Sequence, residues 1–195
     1  MTDPYVDPET GVLRNLWGIT DPVKLRAAEA DITAAAVFAL ATEWLPGAYD
    51  LEHLRAFHRR IFGRLYPWAG EIRTVAIAKT DMFCLPQFIE PYANDVFLNL
   101  ALEKHLRGLP REAFVDRLTH YLAEVNAIHP FREGNGRTQR AFFSQLSRDA
   151  GWPVDWSGLD RNENIAASIA ALRGDNGPLR AMLDRLVAPE PEEDG

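Results

Sequence analysis

Thirteen consecutive residues carry most of the chemistry in this chain: Ile128-His129-Pro130-Phe131-Arg132-Glu133-Gly134-Asn135-Gly136-Arg137-Thr138-Gln139-Arg140. Gly134-Asn135-Gly136 tolerate left-handed backbone angles just before a helix. Such a turn can aim successive N–H groups at one point, where the helix dipole adds positive potential, so it suits an anion and most naturally a phosphate. Arg137 and Arg140, three apart, share a face of the first helical turn and could grip further phosphates bidentately. A carboxylate beside that site is repulsive unless a cation bridges it, and Mg²⁺ takes one or two carboxylates plus substrate phosphates. Glu133 therefore implies a metal that arrives with a nucleotide. His129 precedes a proline and so falls outside helical geometry, where it could serve as general base on an attacking hydroxyl. Phe131, apolar between polar neighbours, is expected to pin the loop into the core.

The composition limits what such a site serves. At 195 residues the chain suits one domain with a sizeable core. Its net charge of −7, with no block of Lys and Arg, argues against direct nucleic-acid binding. Cys84 is the only cysteine, which excludes an intramolecular disulfide and a cysteine metal cluster. His53, His58, His105 and His120 lack metal-ligand spacing and read as surface or packing residues. The chain has neither a signal-peptide start nor an apolar run of membrane length, so the expected setting is cytoplasmic, without a membrane partner.

Helices must position the motif. Thr20-Asp21-Pro22 is a helix start, and the Ala-rich run after it should stay helical to about Trp44. Leu51, Leu54, Phe57/His58, Ile61 and Leu65 mark the apolar stripe of a second helix. Further helices are expected over about 87–105, 111–126 and 136–151. Asp160-x-x-Glu163 resembles a capping box opening another, and Pro178 sits in the first turn of the last. The exception is Ile72 to Cys84, whose composition suits a β-hairpin turning at Lys79-Thr80-Asp81. Residues 188–195 read as a disordered acidic tail. The class is all-α with one hairpin.

The motif resembles that of the Fic family, His-Pro-Phe-x-[Asp/Glu]-Gly-Asn-Gly-Arg-x-x-Arg, and every fixed position is matched from His129 to Arg140. Tyr5-x-Asp7-Pro8-x-Thr10-Gly11-x-Leu13-Arg14-Asn15, Gly18-Ile19, Tyr66-x-Trp68-Ala69-Gly70 and Arg73-Thr74-Val75 are similar to flanking segments of the VbhT-like toxin branch. The resemblance implies one Fic domain over 1–187, a helical bundle with an N-terminal arm (about 1–20), a short β-hairpin flap (about 72–85) and the motif loop (129–140).

By that resemblance, AMP passes from ATP to a Tyr, Ser or Thr hydroxyl of a target protein, releasing pyrophosphate. His129 would be the catalytic base and Glu133 the Mg²⁺ ligand. Gly134, Asn135 and Gly136 would cradle the phosphates, with Arg137 and Arg140 on the outer ones. The flap would pair with target main chain, Val75, Ile77, Lys79, Thr80 and Phe83 being its docking candidates. Phosphotransferase relatives of the Doc type carry lysine where this chain has Gly134, so Gly134 favours AMP over phosphate transfer. Transfer of UMP or phosphate, or an inactive interaction module, are the alternatives. Many relatives carry an inhibitory [Ser/Thr]-x-x-x-Glu-[Gly/Asn] helix, yet no Ser or Thr here has Glu four residues on. The resemblance then implies a separate small antitoxin whose glutamate reaches Arg140.

Overall fold

The computed structural model describes residues 3–78 and 81–189. Among them are seven α-helices: α1 (Pro22–Thr42), α2 (Leu51–Phe62), α3 (Pro86–Leu102), α4 (Arg111–Ile128), α5 (Asn135–Ala150), α6 (Arg161–Leu172) and α7 (Gly177–Leu186). Single 3-10 turns occur at Lys104–Leu106 and Trp156–Gly158. The all-α class is as expected. None of the helices is long and apolar enough to cross a membrane.

Local chemistry explains the helix starts. The Asp21 carboxylate accepts from the N–H groups of Val23 and Lys24, with Pro22 in the first turn. Asp160 accepts from Glu163 N–H at 2.8 Å. The reciprocal half of that capping box does not form, because the Glu163 carboxylate pairs with Arg185 of α7 instead.

α5 packs against α1, α2 and α4, while α4 also packs against α3, α6 and α7. The motif loop therefore joins the two most enclosed helices. Phe142 of α5 is fully buried and meets Tyr49, His53, Phe57, Phe97 and Phe143 edge-on. T-shaped contacts suit the ring quadrupoles, and burying one such ring contributes about 1.5–3 kcal/mol. One core cluster runs from Tyr5 in the arm to Val187.

One expectation needs correction. The hairpin over 72–85 is reduced to one antiparallel bridge, Ala78 to Met82, supported by Phe83 N–H on Ile77 O at 3.3 Å. No longer strand forms there among the described residues, although burial alternates: Arg73 is buried, Val75 and Ile77 are half-buried, and Thr74, Ala76 and Ala78 are exposed. A two-stranded ribbon without a third strand gains little from pairing alone. The turn residues Lys79 and Thr80 lie outside the described residues. At the other end, Ala188 is held on both sides of its peptide, donating to Pro153 O and accepting from Arg111 Nε, both at 2.9 Å. Residues 190–195, most of the expected tail, lie outside the described ones.

Candidate active site

A helix leaves its last four carbonyls without intrahelical partners. At the end of α4 each is taken by a residue of the site. Val125 O accepts His129 N–H at 3.1 Å, and Ala127 O accepts Cys84 N–H at 3.0 Å. Asn126 O accepts His129 Nδ1 at 3.2 Å, and Ile128 O accepts the Arg73 guanidinium at 3.3 Å. Because a carbonyl can only accept, Nδ1 carries the proton, and the basic lone pair of the neutral ring lies on Nε2. His129 itself adopts the left-handed region, φ 47° and ψ 62°, which few non-glycine residues do outside functional sites. Its ring stacks on Phe83, centroids 3.8 Å apart.

The loop then closes on itself. Asn135 Oδ1 accepts Phe131 N–H at 2.9 Å, and its Nδ2 donates to Phe131 O at 2.7 Å. The side chain is thus a structural clamp across the loop, and the main-chain N–H is what this residue can offer an anion site. Phe131 is buried, as read from its neighbours. Gly134 caps α5 at φ 82° with no side-chain hydrogen bond to the helix start. A Cβ there would meet the Phe62 ring at 2.2–2.9 Å.

Below the loop, His58 of α2 ties three segments together. Its Nδ1 accepts Gly70 N–H at 2.8 Å and its Nε2 donates to Glu133 O at 2.9 Å. The ring lies between Phe62 and Phe131, at centroid distances of 4.7 and 4.0 Å. Burial pushes its pKa down to about 4. The unfolded chain therefore takes up a proton here near pH 6.5, and the folded one near 4. Stability is full above about 6.5 and falls as pH drops through that window, by about 3 kcal/mol in total. Urea midpoints between pH 7 and 4.5 should fall more steeply for the wild type than for His58→Gln; equal slopes would refute this.

The two motif arginines are in different states. Arg137 already donates to Glu29 of α1 at 2.6 Å and to Thr33 Oγ1 at 3.0 Å, and its guanidinium lies 4.8 Å over the Phe62 ring. Glu29 also accepts from Tyr66 OH. Arg140 has no hydrogen-bond or ion-pair partner among the described residues. Burial, then the neighbouring Arg137 cation, lowers its pKa, yet arginine stays charged. A desolvated cation lacking a counter-charge favours an anion.

Two cavities meet at His129. A polar cleft of about 380 Å³ between flap and motif loop is bordered by Ile77, Arg132, Glu133, Gly134 and Asn135. An apolar pocket of about 150 Å³ is bordered by Leu122, Arg140, Trp156, Ile165 and Ile169. Polar side chains, among them Asn126, Asn164 and Ser168, also border this pocket. His129, Phe83 and Gly136 border both cavities.

The Fic/DOC family model matches residues 48–147, just over half of the chain and all of the motif. The chain belongs to the Fic/DOC family. It is 43% identical over 184 residues to the protein adenylyltransferase VbhT of Bartonella schoenbuchensis, covering 94% of this chain and 38% of VbhT. The chain thus spans well under half of that relative. Over 188 residues it is 42% identical to y4lH of Sinorhizobium fredii, named a probable protein adenylyltransferase, covering 95% of this chain and 96% of that one. The N-terminal Fic domain of a VirB-translocated Bep effector from Bartonella quintana, solved with bound ADP, aligns at TM-score 0.88 and 27% identity. That alignment covers 95% of this chain and 94% of the other. With relatives of this name matched along their length, the chain is an enzyme of the protein adenylyltransferase class.

Within this Fic domain, Glu133 fits a divalent cation that comes with phosphate. One carboxylate oxygen accepts Gly134 N–H at 2.8 Å, with Arg137 at 3.5 Å; the side chain is 44% exposed. No cluster of three or more His, Cys, Asp or Glu able to hold a metal exists among the described residues. A cation at Glu133 would thus depend on the ligand's own oxygens. Of the docking candidates, Val75 and Ile77 lie along the flap, but Phe83 is turned inward onto His129. Sequence reasoning missed Glu29, whose partner Arg137 is 108 residues away, and Asn126, Asn164 and Ser168 at the apolar pocket. It noted Arg73 only within a flanking segment and gave no role to an arginine at an inward position of the flap.

Proposed function

We propose that this Fic domain transfers AMP from ATP to a Tyr, Ser or Thr hydroxyl of a target protein, releasing pyrophosphate. The observation that supports this most is His129 at the junction of an apolar pocket and a polar cleft. A nucleotide with its base in the pocket and outer phosphates in the cleft brings its α-phosphorus to that junction. The target oxygen then bonds to the α-phosphorus as the α–β bridging bond breaks, and the hydroxyl proton goes to His129 Nε2. The N–H groups at the start of α5 and the Arg140 guanidinium stabilise charge developing on pyrophosphate. Arg137 joins them by exchanging Glu29 for a phosphate oxygen. Mg²⁺, held by Glu133 and the phosphates, would neutralise phosphate charge. Val75 and Ile77 belong to an extended segment able to accept target main chain by strand addition.

Control by a separate small protein fits the groove between α1 and α5. Arg137, Arg140 and Arg148 line it beside Phe38, which is 81% exposed. A partner carboxylate on Arg140 would compete with phosphate there. The setting read from the sequence is the cytoplasm.

One assay tests this reading: incubation with cell lysate, Mg²⁺ and ATP labelled at either the α- or the γ-phosphate. Label from the α position alone is expected. Transfer from γ would replace the reading with phosphate transfer, and transfer from neither with another nucleotide or an inactive module. A small protein encoded beside the enzyme, added to the same mixture, should suppress labelling; an unchanged rate would overturn the antitoxin reading.

A further inference from the structure

Arg73 is 1% exposed, and no carboxylate pairs with it among the described residues. Its guanidinium meets main-chain carbonyls instead. Nε donates to His129 O at 2.8 Å, one terminal nitrogen to Val75 O at 2.7 Å, and the other to Cys84 O and to Ile128 O. Its own N–H donates to Pro130 O at 2.9 Å. These acceptors come from both limbs of the flap, from the end of α4, and from the residue that carries the base.

A buried cation is tolerated here for two reasons. The C-terminal end of α4 supplies negative potential, and oriented carbonyls replace water around the planar fork. Main-chain pairing does little for the flap, which has one bridge near its tip. Its root is fixed to α4 by Arg73 and by Cys84 N–H on Ala127 O. The returning limb then lays Phe83 on the His129 ring.

We propose that Arg73 is a positioning residue for AMP transfer. It holds flap and base as one rigid unit, so that target main chain docked on the flap brings its hydroxyl into register with His129 Nε2. This rests on the AMP-transfer reading above. Lysine at position 73 supplies one point charge in place of the fork, and methionine removes the donors while keeping apolar bulk.

Three readouts on full-length Arg73→Lys and Arg73→Met test it: transfer of α-³²P label from saturating ATP to lysate protein, Mg²⁺–AMPPNP affinity by calorimetry, and amide hydrogen exchange. Labelling by Arg73→Met should fall about 100-fold, the scale of an ångström-sized misplacement. Arg73→Lys should recover part of that loss, and AMPPNP affinity should stay within about threefold of wild type. Exchange should rise together in residues 74–85 and 129–131 while the interior of α5 is unchanged. Unchanged labelling, or loss of AMPPNP affinity in step with labelling, would overturn the proposal. If Arg73→Met does not fold, Arg73→Lys gives the same three readouts at reduced amplitude. If the wild type transfers no label, the AMP-transfer reading fails by itself. The exchange result then decides whether Arg73 couples flap and base, and unchanged exchange overturns that too.

Discussion

His129→Ala is expected to lower AMP transfer by about 10²–10⁴-fold, the usual contribution of a positioned general base. The loss should fall on the chemical step: His129 borders both cavities, but the N–H groups at the start of α5, the Arg140 guanidinium and the aliphatic walls of the pocket belong to other residues. Alanine also removes the Asn126 O bond and the Phe83 stack, so a second substitution isolates the base. Asparagine tolerates left-handed backbone, which position 129 adopts at φ 47°. His129→Asn should therefore keep the chain reversal before Pro130 yet be nearly as inactive. Single-turnover labelling, with AMPPNP affinity measured alongside, checks both variants. A rate within tenfold of wild type in either would remove His129 from the proton transfer.

Gly134→Ala should be the most damaging single methyl group in the motif. Its φ of 82° disfavours any residue with a Cβ, and that Cβ would sit 2.2 Å from the Phe62 ring. Phe62 cannot yield freely: it is fully buried, stacks on His58 and Tyr66, and carries Arg137 over its face. Backbone strain of about 1–2 kcal/mol and overpacking of about 1–3 kcal/mol act together. A loss on the order of 3 kcal/mol lowers the melting temperature of a chain this size by roughly 6–12 °C. Thermal unfolding of Gly134→Ala with and without Phe62→Ala separates the two causes. Relative to Phe62→Ala alone, the added alanine should cost less than it does in the wild type. If it costs as much, the clash is not the mechanism. The same contact leaves a lysine at position 134 no room without moving Phe62. The residue type that the family resemblance ties to AMP transfer is thus also the one that α2 permits.

Much of this was legible in the sequence because the decisive interactions are local. The run from His129 to Arg140 is contiguous, and its residue types constrain one another within a loop and one helical turn. Asp21, Asp160 and Pro178 announce helix starts within three residues, and each of the seven helices found among the described residues has a counterpart in the sequence reading. What escaped depends on distant partners. Nothing near Glu29 tells it apart from other acidic residues of α1, since its role comes from an arginine four helices later. Asn135 was placed in the phosphate cradle without a role for its side chain, because the loop's closure onto Phe131 leaves no mark in composition. The flap was read as a hairpin from its alternation, whereas Arg73 and one bridge hold it. The groove beside Arg140 belongs to two helices a hundred residues apart, and no window of sequence contains it.

The bare start of α5 has a thermodynamic consequence. Three of the seven α-helices, α1, α2 and α6, carry a first acceptor in their N-cap side chain, but α5 begins on a glycine with no side chain to offer one. A phosphate that docks there completes the helix as well as occupying a site. Nucleotide and α5 are then mutually dependent: ligand at a hundred times its dissociation constant adds about 2.7 kcal/mol to the folded state. Without a phosphate the N–H groups at this helix end turn to solvent, so under the proposed activity the enzyme's stability would rise with the concentration of its own nucleotide.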